Sequence, residues 1–372
     1  MKKRSDIQNT SRWVVKVGSA LLTNDGEALN QEFIVNLVEQ IVGLRESGIE
    51  VVLVSSGSIA AGVRRLNMAS RPERLNQLQA AAAVGQASLI REYENALRPF
   101  DVTIAQLLLT NADIANRERY LNAKNTLTTL LQLGVLAIVN ENDTVATDEI
   151  CFGDNDSLGA LVANLIDADV LVILTDQDGL YTADPRSDPK AELVSHANAS
   201  DTSLQEMAEG GTTIGRGGMI TKLTAAQKAS SSGASTLIAN GRQQNILLRL
   251  QQGEELGTLL SASDRLASKK QWLAGQMRVA ASVTLDDGAA NVLQKAGKSL
   301  LPVGVSSING DFVRGELISC IDAQGKEIAR GLSNYSSDEL TKIAGCSSDQ
   351  IAGLLGYRGD DELIHRDNLV LL

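Results

Sequence analysis

Two histidines and three cysteines in 372 residues leave little from which to build acid–base or nucleophilic catalysis. His196 and His365 both fall in polar stretches, where a surface role is the ordinary one, so no Ser-His-Asp or Cys-His pair has defensible members. Cys151, Cys320 and Cys346 are far apart and lack CxxC spacing. That excludes a disulfide framework and a zinc site, and it fits a reducing compartment. No apolar run reaches the length of a membrane span, and Lys2-Lys3-Arg4 leads into polar residues instead of a signal-peptide core, so the expected location is cytoplasmic. The fingerprints GxGxxG after the first strand and GxxxxGK(S/T) are also missing. Positive charge is scarce: 34 Lys and Arg against 45 Asp and Glu give a net charge of −11. A general binder of nucleic acid or of an anionic membrane is thereby disfavoured, and individual lysines in apolar surroundings become informative.

The richest segment is Gly153-Asp154-Asn155-Asp156, which opens an apolar, Ala-rich helix to residue 166 and feeds the apolar run 170–174, ending on Thr175-Asp176. A continuous run of that length suits a strand buried on both faces of a parallel sheet, where ligands bind at strand carboxyl ends beside helix N-termini. A plain capped turn at 153–156 is the competing reading. Upstream, residues 12–17 read as a first strand with Lys16 inside it and Gly18-Ser19 at its end. Lys16 either points to water from an edge strand or stands at the mouth of a central one, beside backbone N–H groups able to hold phosphate. Asn30 caps a helix with its apolar stripe at Phe33, Ile34, Leu37, Val38, Ile41 and Val42. Strand 51–54 closes on Ser55-Ser56-Gly57-Ser58 before a short helix, an arrangement that suits an anion but also an ordinary turn.

An Ala-rich helix to residue 97, a strand at 102–109, a helix at 116–131 and a strand at 135–139 ending on Asn140-Glu141-Asn142-Asp143 follow. This alternation predicts a mainly parallel sheet with helices on both faces. Residues 178–186 have hairpin character, and strands are expected at 235–239 and 257–260. The densest glycine stretch, Gly215-Arg216-Gly217-Gly218, leads into a helix with Lys222 in its first turn. A cation there opposes the helix dipole and hints at bound phosphate, a plain solvated loop being the alternative. Polar residues 261–270 mark a linker. The expected division is 1–262, a linker at 263–276, a β-barrel-like module at 277–358 with strands at 282–285, 304–308, 315–321 and 327–332, and a tail at 359–372.

Two lysines, glycine turns and Asp/Asn clusters at strand ends make the mixture phosphoryl transfer requires: cations on the moving group, amides for positioning, carboxylates to orient. A carboxylate acceptor is already ionised at neutral pH and needs no general base, which suits a chain poor in histidine.

The segments VVKVGS, LVSSGSIAAG, VNENDTVAT, FGDNDSLGALVA, LTDQDGLYTADPR and GGMITK, in that order, resemble the amino-acid kinase family, and within it the glutamate 5-kinases. SLLPVGVSSINGDFVRGELI and GLSNYSSDEL are similar to the PUA domain that bacterial members carry. The resemblance implies a three-layer αβα sandwich followed by a small β-rich PUA-like domain. It further implies ATP with Mg²⁺ as cofactors, and phosphorylation of the γ-carboxylate of L-glutamate as the first step of proline biosynthesis. By the same resemblance Lys16, Lys222 and Asp156 are catalytic, Asp156 organising the two lysines. Ser56, Gly57, Asn140, Asp143, Asp154 and Asn155 would bind glutamate, the ammonium on Asp143 or Asp154 and the α-carboxylate on Asn155 or the Ser56-Gly57 backbone. Lys16, Gly18, Thr175, Asp176 and Arg216-Gly217-Gly218-Met219-Ile220-Thr221-Lys222 would bind the nucleotide. Metal ligands stay unassigned. Arg216, in place of a small residue, and Cys151 depart from the family pattern. Proline as feedback inhibitor, channelling to glutamyl-phosphate reductase and a homodimer or homotetramer belong to the same expectation. Two alternatives stay open: an acetylglutamate kinase or aspartokinase, and RNA binding through the PUA-like module. The latter is weakened by a net charge of −4 over residues 277–372.

Overall fold

The computed structural model describes residues 3–24, 28–147, 155–209, 218–262, 279 and 281–372. The chain divides into two compact units, residues 1–112 with 124–268, and residues 113–123 with 269–372.

The first unit is built on eight strands: β1 (Arg12–Val17), β2 (Glu50–Ser55), β3 (Ile104–Leu109), β4 (Leu136–Glu141), β5 (Val170–Thr175), β6 (His196–Asn198), β7 (Ser235–Asn240) and β8 (Thr258–Ser261). Their order across the sheet is β3-β4-β2-β1-β5-β7-β8-β6. All neighbours run parallel except β7 and β8. Lys16 therefore lies in a central strand, hydrogen-bonded on both sides, and the edge-strand reading falls. β4 and β5 are buried along their whole length, as continuous apolar runs between two helical layers should be.

Alternation along β1 sorts the layers. Trp13, Val15 and Val17 join the main core with α1 (Gln31–Glu46) and α3 (Leu75–Leu97). Lys16 has the opposite parity and faces α5 (Asp156–Leu165), where a Cβ on Gly159 would stand 3.3 Å from Lys16 Cβ. The remaining helices that matter here are α2 (Ser58–Arg65), α4 (Arg117–Gln132) and α6 (Met219–Ser230). Asn30 caps α1 by accepting from the Phe33 N–H at 3.0 Å. Strand β6 was not anticipated, because three residues with alternating exposure are too short to show a period. The expected hairpin at 178–186 reduces to one isolated bridge, Tyr181 with Leu193.

The second unit holds a five-stranded sheet from residues 281–285, 305–309, 317–321, 327–332 and 369–371. Its core takes in Leu363 and Ile364, and its last strand pairs with residues 329–331. Residues 359–372, set apart from the sequence as a tail, thus supply a strand and core side chains. Leu121 packs with Leu317 and Leu332, so the start of the helix expected at 116–131 belongs with this unit.

Helices α2 and α3 meet backbone to backbone. A Cβ on Gly85 would lie 1.8 Å from the Ser58 carbonyl oxygen, and one on Gly62 would lie 1.7 Å from that of Ala81. Neither neighbour is a side-chain tip that could swing aside. Gly85→Ala should therefore destabilise the first unit by about 3 kcal/mol, the upper range for overpacking. Urea denaturation checks this, and an unshifted midpoint would contradict it.

Candidate active site

Strand β1 ends beside the start of α5, and its central position delivers Lys16 into the protein interior. Lys16 is 4% exposed and Lys222 5%, an unusual burial for lysines. Both ammonium groups donate to one carboxylate: Lys16 Nζ to Asp156 Oδ1, and Lys222 Nζ to Asp156 Oδ2 at 3.1 Å. Thr221 Oγ1 donates to that second oxygen at 2.9 Å. Burial alone would raise the Asp156 carboxyl, but the two lysine charges and their hydrogen bonds outweigh it and hold it well below the usual carboxylate range. The three residues expected to be catalytic are thus brought together.

The nucleotide positions gather at neighbouring strand and helix ends. Gly18 follows β1 and donates to the Leu174 carbonyl at 3.3 Å, and a Cβ on it would stand 3.9 Å from Lys16 Nζ. Thr175 ends β5, with its Oγ1 donating to Asp176 Oδ1 at 3.2 Å. Gly218 caps α6, Met219 and Ile220 open it, and Ile220 is exposed. Arg216 and Gly217 lie outside the described residues, as do Asp154 and Cys151.

Ser56, Gly57, Asn140, Asp143 and Asn155 line one cleft at the carboxyl ends of β2 and β4. Gly57 takes φ +100°, a conformation that glycine alone adopts without strain, and this turns the chain from β2 into α2. Asn155 does not cap α5; its Nδ2 donates to the Ser55 carbonyl at 2.9 Å and to Asn140 Oδ1 at 2.7 Å. Both side-chain amide hydrogens are spent, so the Asn155 side chain has its acceptor Oδ1 to offer a ligand. As placed, the Asn155 side chain presents an acceptor and no donor to the cleft. Ser58 Oγ donates to Asp143 Oδ2 at 2.9 Å. Burial raises the Asp143 carboxyl, against the Ser58 hydrogen bond and the charge of Arg71. Asn155 and Asp156 are consecutive, so the cleft and the lysine pair share a border.

Among known proteins, the amino acid kinase family model matches residues 11–240, and the PUA domain model residues 281–355. The glutamate 5-kinase of Saccharophagus degradans is 55% identical over 373 residues, spanning 100% of both chains. That of Cupriavidus taiwanensis is 56% identical over 371 residues, 99% of this chain and 100% of its own. That of Nitrosospira multiformis is 55% identical over 370 residues, again 99% of this chain and 100% of its own. The chain belongs to the glutamate 5-kinase family. For a glutamate 5-kinase family member the mainly parallel α/β unit is the amino acid kinase fold, and the second unit carries the PUA domain.

Sequence reasoning missed several residues of this glutamate 5-kinase family site. Ser19, Ser58, Arg71 and Glu141 also line the cleft. Tyr93 hydrogen-bonds Ser55 Oγ at 2.9 Å beneath it, fully buried, which pushes its hydroxyl pKa up. A polar residue on the buried stripe of α3 was the available signal for the support from below; Arg71 sits in a stretch without period and gave none. Among the described residues, no three His, Cys, Asp or Glu side chains group to hold a metal ion, and no helix is long and apolar enough to cross a membrane.

Removing Asp156 would take the shared carboxylate away from two buried ammonium groups, a loss of about 3–5 kcal/mol. Its stabilisation is complete above a pH of about 4, where the unfolded aspartate is ionised, and declines as pH falls toward the depressed folded-state value. The stability gap between the wild type and Asp156→Asn should accordingly narrow as pH drops below about 4. Urea denaturation at stepped pH measures it, and a gap independent of pH would contradict the assignment.

Proposed function

We propose that this chain transfers the γ-phosphoryl group of ATP to the γ-carboxylate of L-glutamate, giving L-glutamyl 5-phosphate and ADP as the first step of proline biosynthesis. The observation that carries the reading is one buried carboxylate shared by two lysines beside a polar cleft, in a chain 55% identical along its whole length to a glutamate 5-kinase.

A γ-carboxylate oxygen forms the new bond to phosphorus while the bond from phosphorus to the β,γ-bridging oxygen breaks, and its electron pair leaves with ADP. The nucleophile is ionised at neutral pH, so no base takes a proton. Lys16 and Lys222 offset the negative charge on the moving phosphoryl oxygens, and Asp156 holds both ammonium groups in place. Thr221 fixes the Asp156 oxygen that Lys222 uses. Gly18, Thr175, Asp176 and the start of α6 hold the nucleotide. When bound with ATP, Mg²⁺ would be held by the phosphates with one or two carboxylates of the site and would supply neutralisation of the phosphate charge. Asp143 and Asn155 Oδ1 accept from the α-ammonium, and the Ser56-Gly57 backbone faces the α-carboxylate. N-acetylglutamate has a single neutral amide N–H in place of the ammonium and would leave the Asp143 carboxylate without its cationic partner. We extend the reading to feedback inhibition by proline, hand-over of the labile acyl phosphate to glutamyl-phosphate reductase, a homodimer or homotetramer, and a cytoplasmic location.

With ATP, Mg²⁺ and L-glutamate, hydroxylamine should trap the acyl phosphate as a hydroxamate. Lys16→Ala and Lys222→Ala should each lower kcat on the order of 10²–10³-fold, as loss of one preorganised charge stabiliser does. Near-normal turnover in either variant would remove that lysine from the chemistry. The acid limb of kcat/KM for glutamate tests the cleft. Ser58→Ala deletes a donor that favours the charged form of Asp143, so the limb should move to higher pH. A limb that stays put would take Asp143 out of ammonium binding.

A further inference from the structure

The buried stripe of α3 consists of Leu78, Ala81, Ala82, Gly85, Leu89, Tyr93 and Leu97, and one amide interrupts it: Gln86, 8% exposed. Its Oε1 accepts from Asn140 Nδ2 at 2.7 Å. Asn140 Oδ1 in turn accepts from the Glu141 N–H at 2.9 Å and from Asn155 Nδ2 at 2.7 Å. The chain Gln86–Asn140–Asn155 therefore runs from the core of the helix layer to the cleft. Its polarity is fixed at two points by backbone groups that cannot flip, the Glu141 N–H and the Ser55 carbonyl. Gln86 does not line the cleft and has no contact with the lysine pair, so the chemistry described above makes no use of it. Its Nε2 is buried without a partner among the described residues, a cost in stability that an apolar side chain at the same place would not carry.

We propose that Gln86 is a positioning residue that steadies the Asn140–Asn155 amide pair in the orientation that meets the amino acid, a role that rests on the glutamate-phosphorylating reading above. By accepting from Asn140, it keeps the Asn140 oxygen turned toward Asn155 Nδ2. Both hydrogens of Asn155 then stay inward, and Asn155 Oδ1 is kept as an acceptor for the α-ammonium. Without the Gln86 oxygen, Asn140 Nδ2 loses its buried partner and only the Glu141 N–H and the Ser55 carbonyl are left to hold the pair, so Asn155 Oδ1 is held less firmly toward the α-ammonium. The loss falls on the amino-acid substrate and not on the nucleotide, whose binding groups lie on other strand and helix ends.

The test is steady-state kinetics of the full chain with ATP, Mg²⁺ and L-glutamate for wild type, Gln86→Met and Gln86→Glu, with a thermal melt of each. Gln86→Met keeps length and volume but removes the accepting oxygen; it should raise KM for glutamate about tenfold and leave KM for ATP unchanged, the scale of one lost positioning hydrogen bond. Gln86→Glu retains an oxygen for Asn140 and should return KM for glutamate to within about threefold of wild type, since its acceptor is preserved. Gln86 has no such role if KM for glutamate is unmoved in Gln86→Met, if both KM values rise together, or if Gln86→Glu is as impaired as Gln86→Met. If Gln86→Met does not fold, Gln86→Glu decides alone, a tenfold rise in its KM for glutamate overturning the role. A wild type that does not turn over glutamate overturns the assigned activity and this role together; a wild type that does, with unresponsive variants, overturns only the role of Gln86.

Discussion

One carboxylate holding two ammonium groups in the interior is the constraint that the rest of the first unit serves. A lone buried lysine would shed its proton or its burial; two of them close together would repel. Asp156 resolves both problems, and it can do so because it starts a helix whose N-terminus already favours negative charge. The sheet order puts Lys16 in the centre, Gly159 lets α5 lie against it, and α6 brings Lys222 and Thr221 to the same carboxylate. The result is a preorganised pair of cations, held before any phosphate arrives.

The cleft depends on a different device, support from below. Three positions of α3 each fix a separate segment: Gly85 admits the α2 backbone at Ser58, Gln86 holds Asn140, and Tyr93 holds Ser55. A single long helix thereby references the ends of β2 and β4 and the start of α2 to one body. Polar residues on a buried stripe are costly unless satisfied; here Gln86 Oε1 meets Asn140, which lines the cleft, and Tyr93 meets Ser55, buried next to the cleft residue Ser56.

What could be read in advance was whatever broke a pattern locally. Lys16 interrupts an apolar strand, Lys222 sits at the wrong end of a helix for its charge, and Asp156 follows Asn155 in a segment that ends a loop and starts a buried helix. Each is a contradiction inside a window of ten residues. The rest needed tertiary structure. Gln86 and Tyr93 interrupt an otherwise apolar helix stripe, but nothing in that stretch says which strand ends, far away in the chain, they meet. The donor direction of Asn155 depends on meeting the Ser55 carbonyl, which no spacing reveals. The strand at 196–198 and the one at 369–371 are too short to carry a period, so the sheet was seen without one edge and the PUA-like unit without its last strand.

The contact of α2 with α3 bears on how the molecule can move. Packed helices shear past one another by small rotamer adjustments of interdigitated side chains. Where Gly62 and Gly85 bring main chain against main chain, there are no side chains to readjust, and sliding would have to distort peptide geometry itself. Sliding of α2 along α3 is therefore resisted at these two crossings beneath the cleft, beside the packing of Ile59 and Val63 on Leu78, Ala81 and Ala82.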